Sequence, residues 1–93
     1  MKVLVVDGNR INKFIIPDNV NDSYVISYKP YDTKENVLIT FDFSYGNKLI
    51  KSNGTVNVLN GQQIIPEAPL LENSCYALKI LGKSNYVYVY TYP

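Results

Sequence analysis

Val37-Leu38-Ile39-Thr40-Phe41-Asp42-Phe43-Ser44 sets Val37, Ile39, Phe41 and Phe43 at every second position. Successive side chains of a strand point to opposite sides, so this period aims those four at a core. Leu38, Thr40, Asp42 and Ser44 are left on the other face. The same pattern continues outward in both directions. Downstream, Gly46-Asn47 turns the chain into a strand over 48–51, Ser52-Asn53-Gly54 into one over 55–59, and Asn60-Gly61 into one over 62–65. Asn-Gly suits two-residue type I′ hairpins, whose central residues both take positive φ. Upstream, a strand over 2–6 ends at Asp7-Gly8-Asn9, and one over 10–16 ends at Pro17-Asp18-Asn19. Residues 23–29 alternate, with Tyr24, Ile26 and Tyr28 opposite Val25 and Ser27, and Pro30 ends them. Residues 32–36 read as a polar loop.

Pro66 and Pro69 break the pattern across 66–73, because proline supplies no ladder donor. Leu70-Leu71-Glu72 is expected to make one helical or 3₁₀ turn, with Leu70 or Leu71 plugging one end of the core. A strand resumes over 75–81, placing Tyr76, Leu78 and Ile80 opposite Cys75, Ala77 and Lys79. Gly82-Lys83-Ser84-Asn85 turns the chain into a last strand over 86–92, stopped by Pro93. Seven to nine short strands, closely spaced by turns, predict one all-β domain over residues 1–93, a two-sheet antiparallel sandwich or a small barrel. Composition agrees. Nine Tyr favour pleated sheets and eleven Asn favour turns, while Ala, the best helix former, occurs twice.

Much chemistry is excluded by what the chain lacks. With 93 residues, no His and a single Cys, neither an internal disulfide nor a Cys/His zinc site can be assembled. No apolar run approaches the length of a membrane span, and no signal peptide is recognised at the start. Nine Lys+Arg against eight Asp+Glu argue against a dedicated nucleic-acid or membrane-surface binder. The usual general base is missing, no carboxylate pair is brought together by spacing, and no glycine-rich phosphate loop is present. Asp42 reads as a residue on the polar face of its strand. Cys75 reads as a buried free thiol behaving as a small hydrophobe. The expectation is a protein that is not an enzyme and uses no cofactor or metal.

The last strand is the exception to this blandness. Tyr86, Tyr88, Tyr90 and Tyr92 project to one side, and Val87, Val89 and Thr91 to the other. Three arrangements are open: an exposed face that binds a partner, ordinary packing over an outer sheet surface, or rings turned inward against Phe41 and Phe43. The partner-binding face is the reading adopted, since tyrosine buries a large area at low entropic cost. Stacking on glycans or single strands is the alternative for the same rings, although the latter needs a basic groove. A C-terminal strand is expected at a sheet edge, where it could template pairing with another chain.

Asn60-Gly61-Gln62-Gln63-Ile64-Ile65-Pro66, then Leu70-Leu71, then Tyr76-Ala77-Leu78-Lys79-Ile80-Leu81-Gly82, resembles the second half of small immunoglobulin-like modules of tailed-phage virions. Such modules occur in head-fibre, head-decoration and baseplate upper proteins. The strand over 37–44 matches the apolar strand that precedes this pattern, while the hairpin at Asp7-Gly8 lies outside it. The resemblance implies an immunoglobulin-like sandwich serving as a capsid decoration, head-fibre or baseplate adaptor module. Its partners would be other virion proteins or further copies of itself. It would be assembled in the host cytoplasm, where an unpaired Cys75 is at home. A small phage-encoded inhibitor of a host enzyme shares the same size and lack of chemistry.

Overall fold

Alternation in the sequence becomes alternation in burial. The structure, a computed structural model, describes residues 1–18, 22–33, 36–53 and 55–93. Ten strands run through the described residues: β1 (Lys2–Asp7), β2 (Arg10–Ile15), β3 (Val25–Tyr28), β4 (Ile39–Asp42), β5 (Leu49–Ser52), β6 (Thr55–Leu59), β7 (Gln62–Ile64), β8 (Glu67–Pro69), β9 (Cys75–Ile80) and β10 (Val87–Tyr92). They form two antiparallel sheets, ordered β2-β1-β10-β9-β6-β7 and β3-β4-β5-β8. The sheets share one core, as in a β-sandwich. The six-stranded sheet contributes Val3, Val5, Tyr76, Leu78, Ile80, Val87 and Val89. The four-stranded sheet and its flanks contribute Val37, Ile39, Phe41, Phe43, Ile50 and Ala68. Phe14 bridges the layers, its ring centroid 5.6 Å from that of Phe41.

The hairpins follow their turn residues. Asp7 pairs with Arg10, so the β1–β2 turn is Gly8-Asn9. Gly8 takes positive φ in the first central position, as a type II′ turn requires. Leu59 pairs with Gln62, and both residues between them, Asn60 and Gly61, take positive φ, the type I′ pattern. The turns expected at Pro17-Asp18-Asn19 and Ser52-Asn53-Gly54 lie partly outside the described residues, as does the loop over 32–36.

Three expectations are corrected. Residues 66–73 hold a tenth strand rather than a helical turn. β8 pairs with β5 alone, and an edge position tolerates Pro69. Leu70 prolongs that ladder by donating to the Lys48 carbonyl at 2.8 Å. Its side chain enters the core, while Leu71 faces solvent. The Tyr76 hydroxyl, fully buried, locks this segment by donating to the Pro69 carbonyl at 2.6 Å and accepting from the Leu71 N–H at 2.8 Å.

The second correction concerns the last strand. β10 is no edge but lies between β1 and β9 inside the larger sheet. The reason lies in β1, where Val3 and Val5 point into the core and Leu4 and Val6 point outward, so both of its faces are apolar. Such a strand suits an interior position, and it is completed on one side by β2 and on the other by β10. The third correction is Cys75, which is half-buried on the outer face rather than a core residue.

Candidate functional site

The outer face of the six-stranded sheet is built row by row from strand register. Paired residues of antiparallel strands share a face. One row therefore runs Ile11, Val6, Tyr88, Ala77, Val58 and Gln63 across all six strands. A second runs Lys13, Leu4, Tyr90 and Cys75, and a third Ile15, Lys2 and Tyr92. Val87, Val89 and Thr91 are buried on the opposite side of β10, so the tyrosines point outward. Inward packing is ruled out, because the partners of Phe41 and Phe43 are Phe14 and Tyr24.

Three of the rings, those of Tyr86, Tyr88 and Tyr90, form a continuous ridge, and Tyr92 extends its line along β10. Tyr86 and Tyr88 have centroids 6.2 Å apart, and Tyr88 and Tyr90 stack at 6.4 Å. Tyr86, Tyr88 and Tyr92 are exposed and Tyr90 is half-buried. Partial burial, and then the adjacent Cys75 thiol, push the Tyr90 hydroxyl above its ordinary pKa. Aliphatic residues flank the ridge, and Ile11 and Ile15 are 67% and 68% exposed on edge strand β2. A cleft of about 320 Å³ adjoins Tyr86 and Tyr88, and another of about 290 Å³ adjoins Tyr90 and Tyr92.

Two polar devices fix the ends of this ridge. At one end Asp7 closes β1 on the inner side and is fully buried. Lys83, in the turn leading to Tyr86, brings its ammonium to 2.7 Å from Asp7 Oδ1, and its side chain is only 5% exposed. The geometry is that of an ion pair rather than an aligned hydrogen bond. Asp7 Oδ2 accepts from the Tyr28 hydroxyl at 2.7 Å and the Tyr31 N–H at 3.2 Å. Burial works to raise the Asp7 pKa, but Lys83, Tyr28 and Tyr31 together outweigh it and hold the carboxyl below 3.8. Burial, then Asp7, push the Tyr28 hydroxyl upward. Lys83 also donates to the Tyr31 carbonyl at 3.1 Å, and Arg10 lies over the Tyr31 ring at 4.1 Å.

At the other end, buried Thr91 accepts from the Ser74 N–H at 2.9 Å and donates to the Leu71 carbonyl. This ties the turn before β9 to the end of β10.

The opposite outer face differs in kind. Rows on the four-stranded sheet run Val25, Asp42, Leu49 and Pro69, and Ser27, Thr40, Lys51 and Glu67. Asp42 is half-buried there. Its hydrogen bonds from Ser44, and then Lys51 at 3.0 Å, hold its carboxyl at about 2. That is a paired surface carboxylate.

Sequence reading found the tyrosines but missed their setting. Leu4, Val6, Ile11, Ile15 and Val58 complete the face. The signal for Leu4 and Val6 was the unbroken apolar run over 3–6, which puts apolar side chains on both faces of β1. The Asp7–Lys83 pair has no signal in the sequence, since its members lie at opposite ends of the chain. Compared with protein-family models, curated proteins and solved structures, the chain finds no match.

Proposed function

We propose that this chain is a non-enzymatic structural module that works through protein–protein contact. Tyr86, Tyr88, Tyr90 and Tyr92 form the centre of its contact face. The observation that carries the reading is the outer face of the six-stranded sheet, where the aromatic ridge is surrounded by aliphatic side chains and open to solvent. Large exposed apolar patches on small proteins mark interaction sites. One row crosses six strands, about 24 Å, and the other two cross four and three. At about 33 Å² per residue of one sheet face the three rows project about 430 Å², which ring relief enlarges toward one side of a specific interface, about 600–1,000 Å².

The biological setting proposed is a tailed-phage virion, in which an immunoglobulin-like sandwich decorates the capsid, joins a head fibre or adapts the baseplate. Resemblance over about the last 60 residues supports it, and a free Cys75 accords with assembly in the host cytoplasm. Co-expression with the proteins encoded beside it, followed by sedimentation of assembled particles, tests the reading. Tyr88→Ser with Tyr90→Ser should leave the urea midpoint nearly unchanged and strip the protein from the particles. Full occupancy of particles by the double variant would refute the site.

A further inference from the structure

We infer that the partner of this face presents an apolar patch edged by carboxylates, so that recognition is selective for an acidic protein surface. The inference rests on the contact face proposed above and adds the chemistry of its occupant. The three register rows, together with Lys79 two residues beyond Ala77 on β9, include three charged residues, Lys2, Lys13 and Lys79, and no carboxylate. None of these lysines has a carboxylate within 4.0 Å among the described residues. Lysines elsewhere are treated differently. Lys48, Lys51 and Lys83 each have one, at 3.9, 3.0 and 2.7 Å, while Lys29 beyond β3 does not. Among the described residues, the acids of a chain of net charge +1 thus stand off these rows, and the lysines on them have no carboxylate at ion-pair distance.

Placement of those charges fits a rim. Lys2 shares a row with Tyr92, and Lys13 shares one with Leu4 and Tyr90 from edge strand β2. Lys79 lies beyond the row of Tyr88 and Ala77 on the other flank of the ridge. Complementary charges around an apolar centre steer encounter and set register. A second copy is a poor occupant, because the same face turned on itself brings lysine toward lysine with no acid to answer it. A single-stranded nucleic acid fits less well than protein. The ring centroids, 6.2 Å apart for one pair and 6.4 Å for the next, leave no room for a base between neighbours. Aliphatic side chains also interrupt the surface where a basic groove would run.

Three synthetic peptides sharing one alternating Ile/Thr strand, and differing only in carrying Glu, Gln or Lys at both flanks, test the inference. Titration into the full chain is followed by backbone amide shifts, with an oligothymidylate as a fourth ligand. The Glu peptide should bind roughly five- to tenfold more tightly than the Gln peptide at low salt, given two or three exposed ion pairs, and the Lys peptide least. Shifts should map to β1, β10 and β9, and the preference should fade with added salt. Lys2→Gln, Lys13→Gln and Lys79→Gln combined should make the Glu and Gln peptides bind alike. Equal binding of all three peptides at this face would overturn the acidic partner while leaving the contact face standing. Shifts at this face with none of the peptides would overturn both. Tighter binding of the oligothymidylate, lost in the triple lysine variant, would assign the anion to nucleic acid and overturn the inference.

Discussion

Replacing Lys83 by Met should cost about 3 kcal/mol, because it removes one partner of a buried pair, and the cost should depend on pH. The ammonium is 2.7 Å from Asp7 Oδ1, with side chains 5% and 0% exposed. At an effective dielectric of about 20, unit charges at that distance attract by roughly 6 kcal/mol before desolvation is counted. Breaking a buried pair by removing one partner costs about 3–5 kcal/mol, because the remaining charge stays buried without its counter-ion. Asp7 would keep the Tyr28 hydroxyl and the Tyr31 N–H, which places the expected loss near the lower end. Lys83→Met would lower the urea midpoint by about 2–3 M, with m near 1 kcal/mol/M for a chain of this size. The protein should still fold, since roughly 5–14 kcal/mol is ordinary for this length. In the intact protein the folded Asp7 pKa lies below its unfolded value of 3.8. Its contribution is present above about pH 4 and disappears as pH falls through the folded value. In Lys83→Met, burial dominates, the carboxyl shifts upward, and protonation relieves the penalty. The two proteins should therefore converge in stability as pH falls from 7 to 3. Adding Asp7→Asn to Lys83→Met should recover most of the loss, as a double-mutant cycle would register. A loss below about 1 kcal/mol, the level of an ordinary surface pair, or a difference constant from pH 7 to pH 3, would refute the reasoning.

Tyr76→Phe should cost about 1–3 kcal/mol, since it leaves the Pro69 carbonyl and the Leu71 N–H without their partner; hydrogen exchange should quicken first at Leu70 and Leu71. Asp42 should titrate at about 2 by NMR, and Ser44→Ala and Lys51→Met should each raise that value, because the serine hydroxyl and then the lysine ammonium hold the carboxylate ionised. The contribution of Asp42 to folding is present above its unfolded value of 3.8 and disappears as pH falls through about 2.

The legible part of this molecule was the part written in a period of two. Val37, Ile39, Phe41 and Phe43 are buried as the alternation requires, and so are Tyr76, Leu78 and Ile80. The outward direction of the four tyrosines followed from the valines between them. What escaped was strand order. The position of β10 depends on pairing between the two ends of the chain, which no local pattern records. β8 escaped because proline weighs against a strand wherever edge status is unknown. The turn at Asn60-Gly61 was readable for the opposite reason, since its two positive φ values are a local demand that few residue pairs satisfy.

The interior place of β10 changes what its tyrosines can do. On an edge strand their rings would have accompanied free backbone groups, and strand addition would have been the natural mode of contact. Inside the sheet the backbone of β10 is paired on both sides, so only side chains are available. Strand addition is left to edge strands, of which β2 is the longest, and the sequence of β2 works against it. Arg10 and Lys13 stand on that strand, which carries no acid of its own, and two copies paired there would bring four cations together. The lysines that favour an acidic partner thus also oppose association between copies. An apolar face of this size needs that protection, because the same area that serves a partner would otherwise serve aggregation.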